Sequence, residues 1–300
     1  MKKAFFQLHM AVFLAGFTGI LGRLISMNEG MIVWYRLLFT AVTMWILFGL
    51  MKKLQRIPFK DILKIAAVGF IAAMHWVTFY GSIKYANVSV ALVCFSAIGF
   101  FTAVFEPVFI KKKLNIPELL LGLMTLAGIY VIFHFDTGYK TGIILGIISA
   151  VLASLFPIFN RELLKRIGVE TLLTWQQTGG LVLLSILLPA YLQRFPVESF
   201  LPGWNDLKWL LVLAWFCSVL AFLLSGYALK KLSAFTVNLT YNLEPVYGIL
   251  LAFAVYNENK LLSKWFFIGF GIIAIALLIH VFILIREERK LSTHAANSLS

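Results

Sequence analysis

Ten apolar stretches, each long enough to cross a lipid bilayer, constrain this chain more than any motif does. A helix rises ~1.5 Å per residue, so about 20 apolar residues cover the ~30 Å hydrocarbon core. The stretches are Ala4–Ser26, Met31–Met51, Ile62–Ile83, Val88–Ile110, Pro117–Phe135, Gly142–Asn160, Thr171–Leu192, Leu207–Leu229, Ser233–Tyr256 and Phe266–Ile285, spans 1 to 10 in order. Hydrophobic residues make up 61% of the 300 residues and charged ones 13%, and mean hydropathy is +0.92. No soluble domain carries that composition. The predicted fold is all-α and integral to a membrane, with ten transmembrane helices. The loop Gln193–Asp206 and the tail Arg286–Ser300 are too short to build a core of their own. Any function must therefore sit inside the bundle.

Lys2 and Lys3 precede the first stretch as in a signal peptide, but the apolar run is long and lacks a small-residue cleavage site. An uncleaved first span is the better reading. The net charge of +13 invites a nucleic-acid reading. Its placement argues against one. With the N-terminus in the cytoplasm, most Lys and Arg residues fall inside, in clusters such as Lys52-Lys53, Lys111-Lys112-Lys113, Lys165-Arg166 and Lys230-Lys231. The sparser outer set is Arg23, Arg36, Lys84, Lys140, Arg194, Lys208, Lys260 and Lys264. Every second boundary is the basic one, as the positive-inside rule requires, and both termini come out cytoplasmic. Cys94 and Cys217 fall mid-span and read as small packing residues.

The two halves resemble each other. Ala11, Ala15, Gly19 and Arg23 share one face of span 1, and Ser149, Ala153, Pro157 and Arg161 repeat the pattern 138 residues on. Ser82-Ile83-Lys84-Tyr85-Ala86 matches Ala228-Leu229-Lys230-Lys231-Leu232 at an offset of 146. Five spans per half is an odd number, so the second half enters the membrane from the opposite side. Such inverted repeats build many secondary transporters, with a site near the midplane between them. The expected units are residues 1–140, residues 141–285 and a cytoplasmic tail, 286–300. One match conflicts: Glu106-Pro107 resembles Glu244-Pro245 at the shorter offset, whereas helix lengths favour the longer one.

Arg36 opening span 2, the Lys230-Lys231-Leu232-Ser233-Ala234 turn, and Asn242-Leu243-Glu244-Pro245-Val246 followed by Asn257-Glu258 resemble the EamA-type drug/metabolite transporters. The second half matches better. In the first, Gly99 stands where Pro245 does and Lys112 where Glu258 does. The resemblance implies a bacterial inner-membrane exporter of small metabolites, often amino acids, with a site among spans 3, 4, 8 and 9. Some relatives instead move lipid-linked sugars.

The residues add candidates. Glu244 and Glu106 are the acids well within spans, where a carboxylate costs about 2.5–3.5 kcal/mol and should face protein or a wet cavity. Pro245 would bend span 9 beside Glu244. Glu244 and Glu106 are coupling candidates with a proton as the ion, against a structural role at the kink for Glu244 and a surface pairing with Lys111–Lys113 for Glu106. His75, Trp76 and Tyr80 would line a solute cavity, against plain packing. Asn238, Tyr241 and Asn242 share one face of span 9. With Asn160, Gln176 and Tyr227 they complete the solute-binding set, against interhelical glue. Trp34 and Arg36 are read as an external gate in which Arg36 catches a carboxylate, against an aromatic belt with a snorkelling arginine. Spans 5 and 10 look bland, which leaves them the periphery or a homodimer contact.

No nucleotide-binding, metal-ligand or catalytic pattern stands in the sequence, so no cofactor and no metal is expected. The expected partners are a small-molecule solute and the lipid bilayer, not nucleic acid. The reading is a secondary transporter working by alternating access. The alternatives are a flippase for a lipid-linked sugar and, less favoured, a polytopic membrane enzyme.

Overall fold

A computed structural model describes residues 2–111, 113–135, 137–229, 240–241 and 243–297. Helix α1 (Lys2–Leu24) leads to α2 (Glu29–Leu50). Asn28 fixes the start of α2, its side-chain oxygen accepting from the Met31 N–H at 2.9 Å and so satisfying one of the amides a helix start leaves free. After α3 (Phe59–Tyr85), Asn87 caps α4 (Val88–Phe95) in the same way, accepting from the Val90 N–H at 2.8 Å. The chain then breaks at Ser96-Ala97 and resumes as α5 (Ile98–Ile110). Span 4 is thus two helices where the hydropathy pattern predicts one. Next come α6 (Ile116–Phe135), α7 (Lys140–Leu163) and α8 (Val169–Arg194). Span 8 is α9 (Trp204–Ala214), a π-helical segment Trp215–Leu220, and α10 (Ala221–Leu229). The described part of span 9 is chiefly α11 (Glu244–Tyr256), and α12 (Lys264–Asn297) closes the chain.

Among the described residues, nine helical stretches are long and apolar enough to cross a membrane, and α11 is a shorter apolar helix. Large apolar side chains such as Phe6, Ile46, Leu50, Tyr130, Ile186, Leu278 and Phe282 point outward. That is the surface a bilayer solvates. The chain is a multi-pass membrane protein.

The repeat register is visible in the backbone. Helices α5 and α11 each contain 13 residues. Each ends on a left-handed residue, Lys111 (φ 56°) and Asn257 (φ 53°), 146 positions apart. Glu106 lies in the last turns of α5 and Glu244 opens α11, so the two Glu-Pro pairs are not repeat mates. Pro245 stands in the first turn of α11, where its missing N–H removes no helical bond. It does not bend a continuous helix, as the sequence suggested.

Packing repeats the same exchange. Helix α3 packs on α7 and α8, while its counterpart, span 8, packs on α1 and α2. Helices α4 and α5 pack on α7, while α11 packs on α1. The pairs α2–α8 and α6–α12 are their own images. The fold is two inverted five-helix repeats. Spans 5 and 10 pair with each other within the chain, at a crossing where a Cβ on Gly128 would lie 2.6 Å from the Gly269 carbonyl oxygen. Small residues let the two backbones meet there.

Candidate functional site

Arg36 is the centre of the polar interior. It lies seven residues into α2, about 10 Å along the axis, and is 2% exposed. It does not snorkel to the membrane surface. Its Nε donates to Ser218 Oγ at 2.8 Å, Nη1 to the Tyr80 hydroxyl at 2.9 Å, and Nη2 to the Cys217 carbonyl at 3.3 Å. The guanidinium carbon lies 4.0 Å from the centroid of the Trp76 ring, a cation–π contact.

The irregular backbone of span 8 makes this possible. Within the π segment, Ser218 Oγ donates to the Leu213 carbonyl at 3.3 Å, five residues back. The wider turn leaves the Cys217 carbonyl available to Arg36, and such bulges recur at functional positions. Cys94 and Cys217 are both buried free thiols.

Trp76 and Tyr80 lie one turn apart on α3 and hold the guanidinium between them. Trp76 also stacks on Phe222 of α10, with centroids 6.3 Å apart and planes at 11°. Glu244 opens α11 against α1, where a Cβ on Gly16 would lie 3.1 Å from the Glu244 carbonyl oxygen. Arg36, Trp76, Tyr80 and Ser218 thus bring spans 2, 3 and 8 to one place. Two buried oxygens have no hydrogen-bond partner among the described residues: Thr40 Oγ1, one turn beyond Arg36, and Gln177 Oε1 on α8.

His75 faces the neighbouring helix. Its Nδ1 lies 2.8 Å from Ser149 Oγ and 3.1 Å from the Ser149 carbonyl oxygen. The ring stacks on Phe95 at 5.3 Å and lies near Phe79 and Phe156. Asn160 and Gln176 face each other through their side-chain amides at 3.4 Å, joining α7 to α8. The Tyr227 hydroxyl accepts from Lys53 at 3.3 Å, near the end of the bundle that holds α1's first residues. Tyr241 packs against Leu8, Val12 and Ala228. Asn238 and Asn242 lie outside the described residues.

Trp34 donates through Nε1 to Ser185 Oγ at 2.8 Å and meets Phe200 edge-on at 5.2 Å. Its contacts are separate from those of Arg36, which belongs to the interior cluster. Glu106 pairs with Arg161 at 2.9 Å, an ion pair the Lys111–Lys113 reading did not anticipate. No group of three or more His, Cys, Asp or Glu side chains among the described residues is placed to hold a metal.

A family model described as the EamA-like transporter family matches residues 2–134 and again residues 140–280, once per repeat. No curated protein matches the sequence. A crystal structure of a protein is similar in fold, with a TM-score of 0.65 and 16% identity over 94% of this chain and 98% of the other.

Proposed function

Since the chain belongs to the EamA-like transporter family, we propose that it is a secondary active transporter exporting a small carboxylate-bearing metabolite, an amino acid being the simplest case. The observation that carries this reading is Arg36. A guanidinium withdrawn from water, two turns inside a span, has only neutral hydrogen-bond partners among the described residues. Its planar fork suits a carboxylate, and its burial strengthens the attraction. An ionisable group at this depth is by default part of a solute or ion path.

The solute carboxylate takes Arg36, and Trp76 and Tyr80 wall the position. Glu244 receives the solute's ammonium group or a proton, which gives the acid its coupling role. His75 braces this wall from behind. The polar pattern of the sequence assigns Asn238, Tyr241 and Asn242 to the same path, together with Asn160, Gln176 and Tyr227. The inverted repeats, residues 1–140 and 141–285, rock about this point and expose it to one face and then the other. An ion or solute gradient drives the cycle, as the secondary-transporter reading implies. The basic clusters favour cytoplasmic termini, with 286–300 as a cytoplasmic tail, and the family favours a bacterial inner membrane. Spans 5 and 10 pair within one chain, so a homodimer is not needed to complete the bundle. The protein transports and carries out no chemistry on its solute.

The test is uptake into liposomes by the purified protein, with labelled amino acids and their methyl esters, with and without a pH gradient. The acid should be carried and the ester not. Equal transport of both would overturn the carboxylate reading. Scrambling of a lipid-linked sugar with no solute uptake would replace it with flippase activity.

A further inference from the structure

Arg23 stands in the last turn of α1 and Arg161 in the last turn of α7. Helices α1 and α7 are repeat mates, so the two arginines mark opposite ends of the bundle. Each pairs with a glutamate of a broken span. Arg23 meets Glu258, just past α11, and Arg161 meets Glu106 in α5. Helices α11 and α5 are mates too. The two ion pairs therefore tie matching pairs of elements, although the register mate of Glu258 is Lys112 and not Glu106.

The two pairs are in different states. The difference lies in the carboxylates: while Arg23 is 37% exposed, the Glu258 side chain is 0% exposed. Beyond Arg23, it accepts from the Val88 N–H at 3.1 Å, the Ser89 N–H at 2.8 Å and the Ser89 hydroxyl at 2.6 Å. One carboxylate thus gathers the ends of spans 1, 4 and 9. The Arg23 guanidinium also lies 4.3 Å over the Tyr256 ring, and the Tyr256 hydroxyl donates to the Ile20 carbonyl at 2.8 Å. At the other end, the side chains of Arg161 and Glu106 are 51% and 26% exposed. A buried carboxylate persists only where hydrogen bonds offset its desolvation, as the α4 amides do here. A solvated pair contributes little.

We infer that Arg23–Glu258 is a latch closing one end of the transport path, that Arg161–Glu106 is its counterpart at the other end, and that this conformation is shut at the Arg23 end. The inference rests on the alternating-access reading. Exchange of the repeats buries one latch and hydrates the other. The α4 amides and Ser89 release Glu258 when the Arg23 end opens, and the conformation is set by which carboxylate is desolvated.

The experiment needs no substrate, so it can fail while transport stands. Spin labels are placed at Tyr85→Cys and Leu261→Cys, both exposed at the Arg23 end, with Cys94 and Cys217 replaced by alanine, and the protein is studied in lipid nanodiscs by double electron–electron resonance. Glu258→Gln and Arg23→Gln should each add a longer distance population, and Glu106→Gln should not. Arg23→Gln leaves Glu258 on α4 and carries the test if Glu258→Gln does not fold. A distance distribution unchanged by Arg23→Gln, or lengthened equally by Glu106→Gln, would overturn the latch assignment.

Discussion

The Trp76 indole stacks on the Phe222 ring, 6.3 Å between centroids and 11° between planes, and the two residues stand 146 positions apart. That is the offset relating the left-handed caps Lys111 and Asn257. A residue meets its own repeat mate only on the axis that exchanges the repeats. The stack therefore marks that axis, and Arg36 lies over the same indole.

Trp76→Phe should keep the stack and weaken the cation–π contact, which is worth about 0.5–2 kcal/mol according to its desolvation. Trp76→Ala should remove both and cost about 3–5 kcal/mol as a large-to-small core change. Thermal melting in detergent is expected to rank parent, Trp76→Phe and Trp76→Ala in that order. A Trp76→Ala protein melting with the parent would remove the indole from the axis.

Arg36→Lys keeps the charge but loses the fork that reaches Ser218, Tyr80 and Cys217 at once. Its apparent affinity for a carboxylate solute should fall at least about tenfold, the equivalent of ~1.4 kcal/mol, with the fold retained. Arg36→Gln should abolish saturable uptake of the acid. Competition assays in liposomes measure both, and parental affinity in Arg36→Gln would exclude the guanidinium from the solute site.

Hydropathy and charge made the spans, their number and the odd-numbered repeat legible, because a bilayer demands long apolar helices whatever their contacts. They did not reveal helix rotation. Arg36 read as a surface arginine because it follows Trp34 and Tyr35, and only the packing of α3 and span 8 around it makes it interior. The span 4 break at Ser96-Ala97 carries no proline, and the π segment Trp215–Leu220 has no composition that announces it. Glu258 entered as part of a family motif with no role attached. Its place directly after an apolar span, opposite Arg23 at the end of another, was the available signal, but which helix ends meet is decided by topology.

Helices α3 and α8 cross with little clearance. A Cβ on Gly69 would lie 2.0 Å from the Gln176 carbonyl oxygen, and one on Gly180 would lie 2.8 Å from the Gly69 oxygen. Both obstacles are backbone, so Gly69→Ala must push the helices apart. Gly49, near the end of α2, has nothing within 4 Å of its would-be Cβ. Gly49→Ala should stabilise by about 0.5–1 kcal/mol through helix propensity, and Gly69→Ala should lower the melting temperature and the yield of folded protein. Opposite signs in a melting assay are expected. A neutral Gly69→Ala would mean the crossing is looser than its geometry.

The Ser149 carbonyl can only accept, so His75 carries its proton on Nδ1 and donates to Ser149, while Ser149 Oγ donates back to the His75 carbonyl at 3.1 Å. Ser149→Ala removes the nearer acceptor of a buried ring but keeps the carbonyl one, and should destabilise by about 0.5–1.5 kcal/mol. Replacing both partners by apolar groups removes the donor together with its hydroxyl partner, so His75→Phe with Ser149→Ala should recover most of the loss. Because Phe79, Phe95 and Phe156 surround the ring, the double variant should also transport at close to the parental rate. If it recovers stability but not transport, the imidazole touches the solute and belongs to the binding set with Arg36. If it recovers neither, the hydrogen bonds between α3 and α7 are themselves needed to hold the wall on which Arg36 rests.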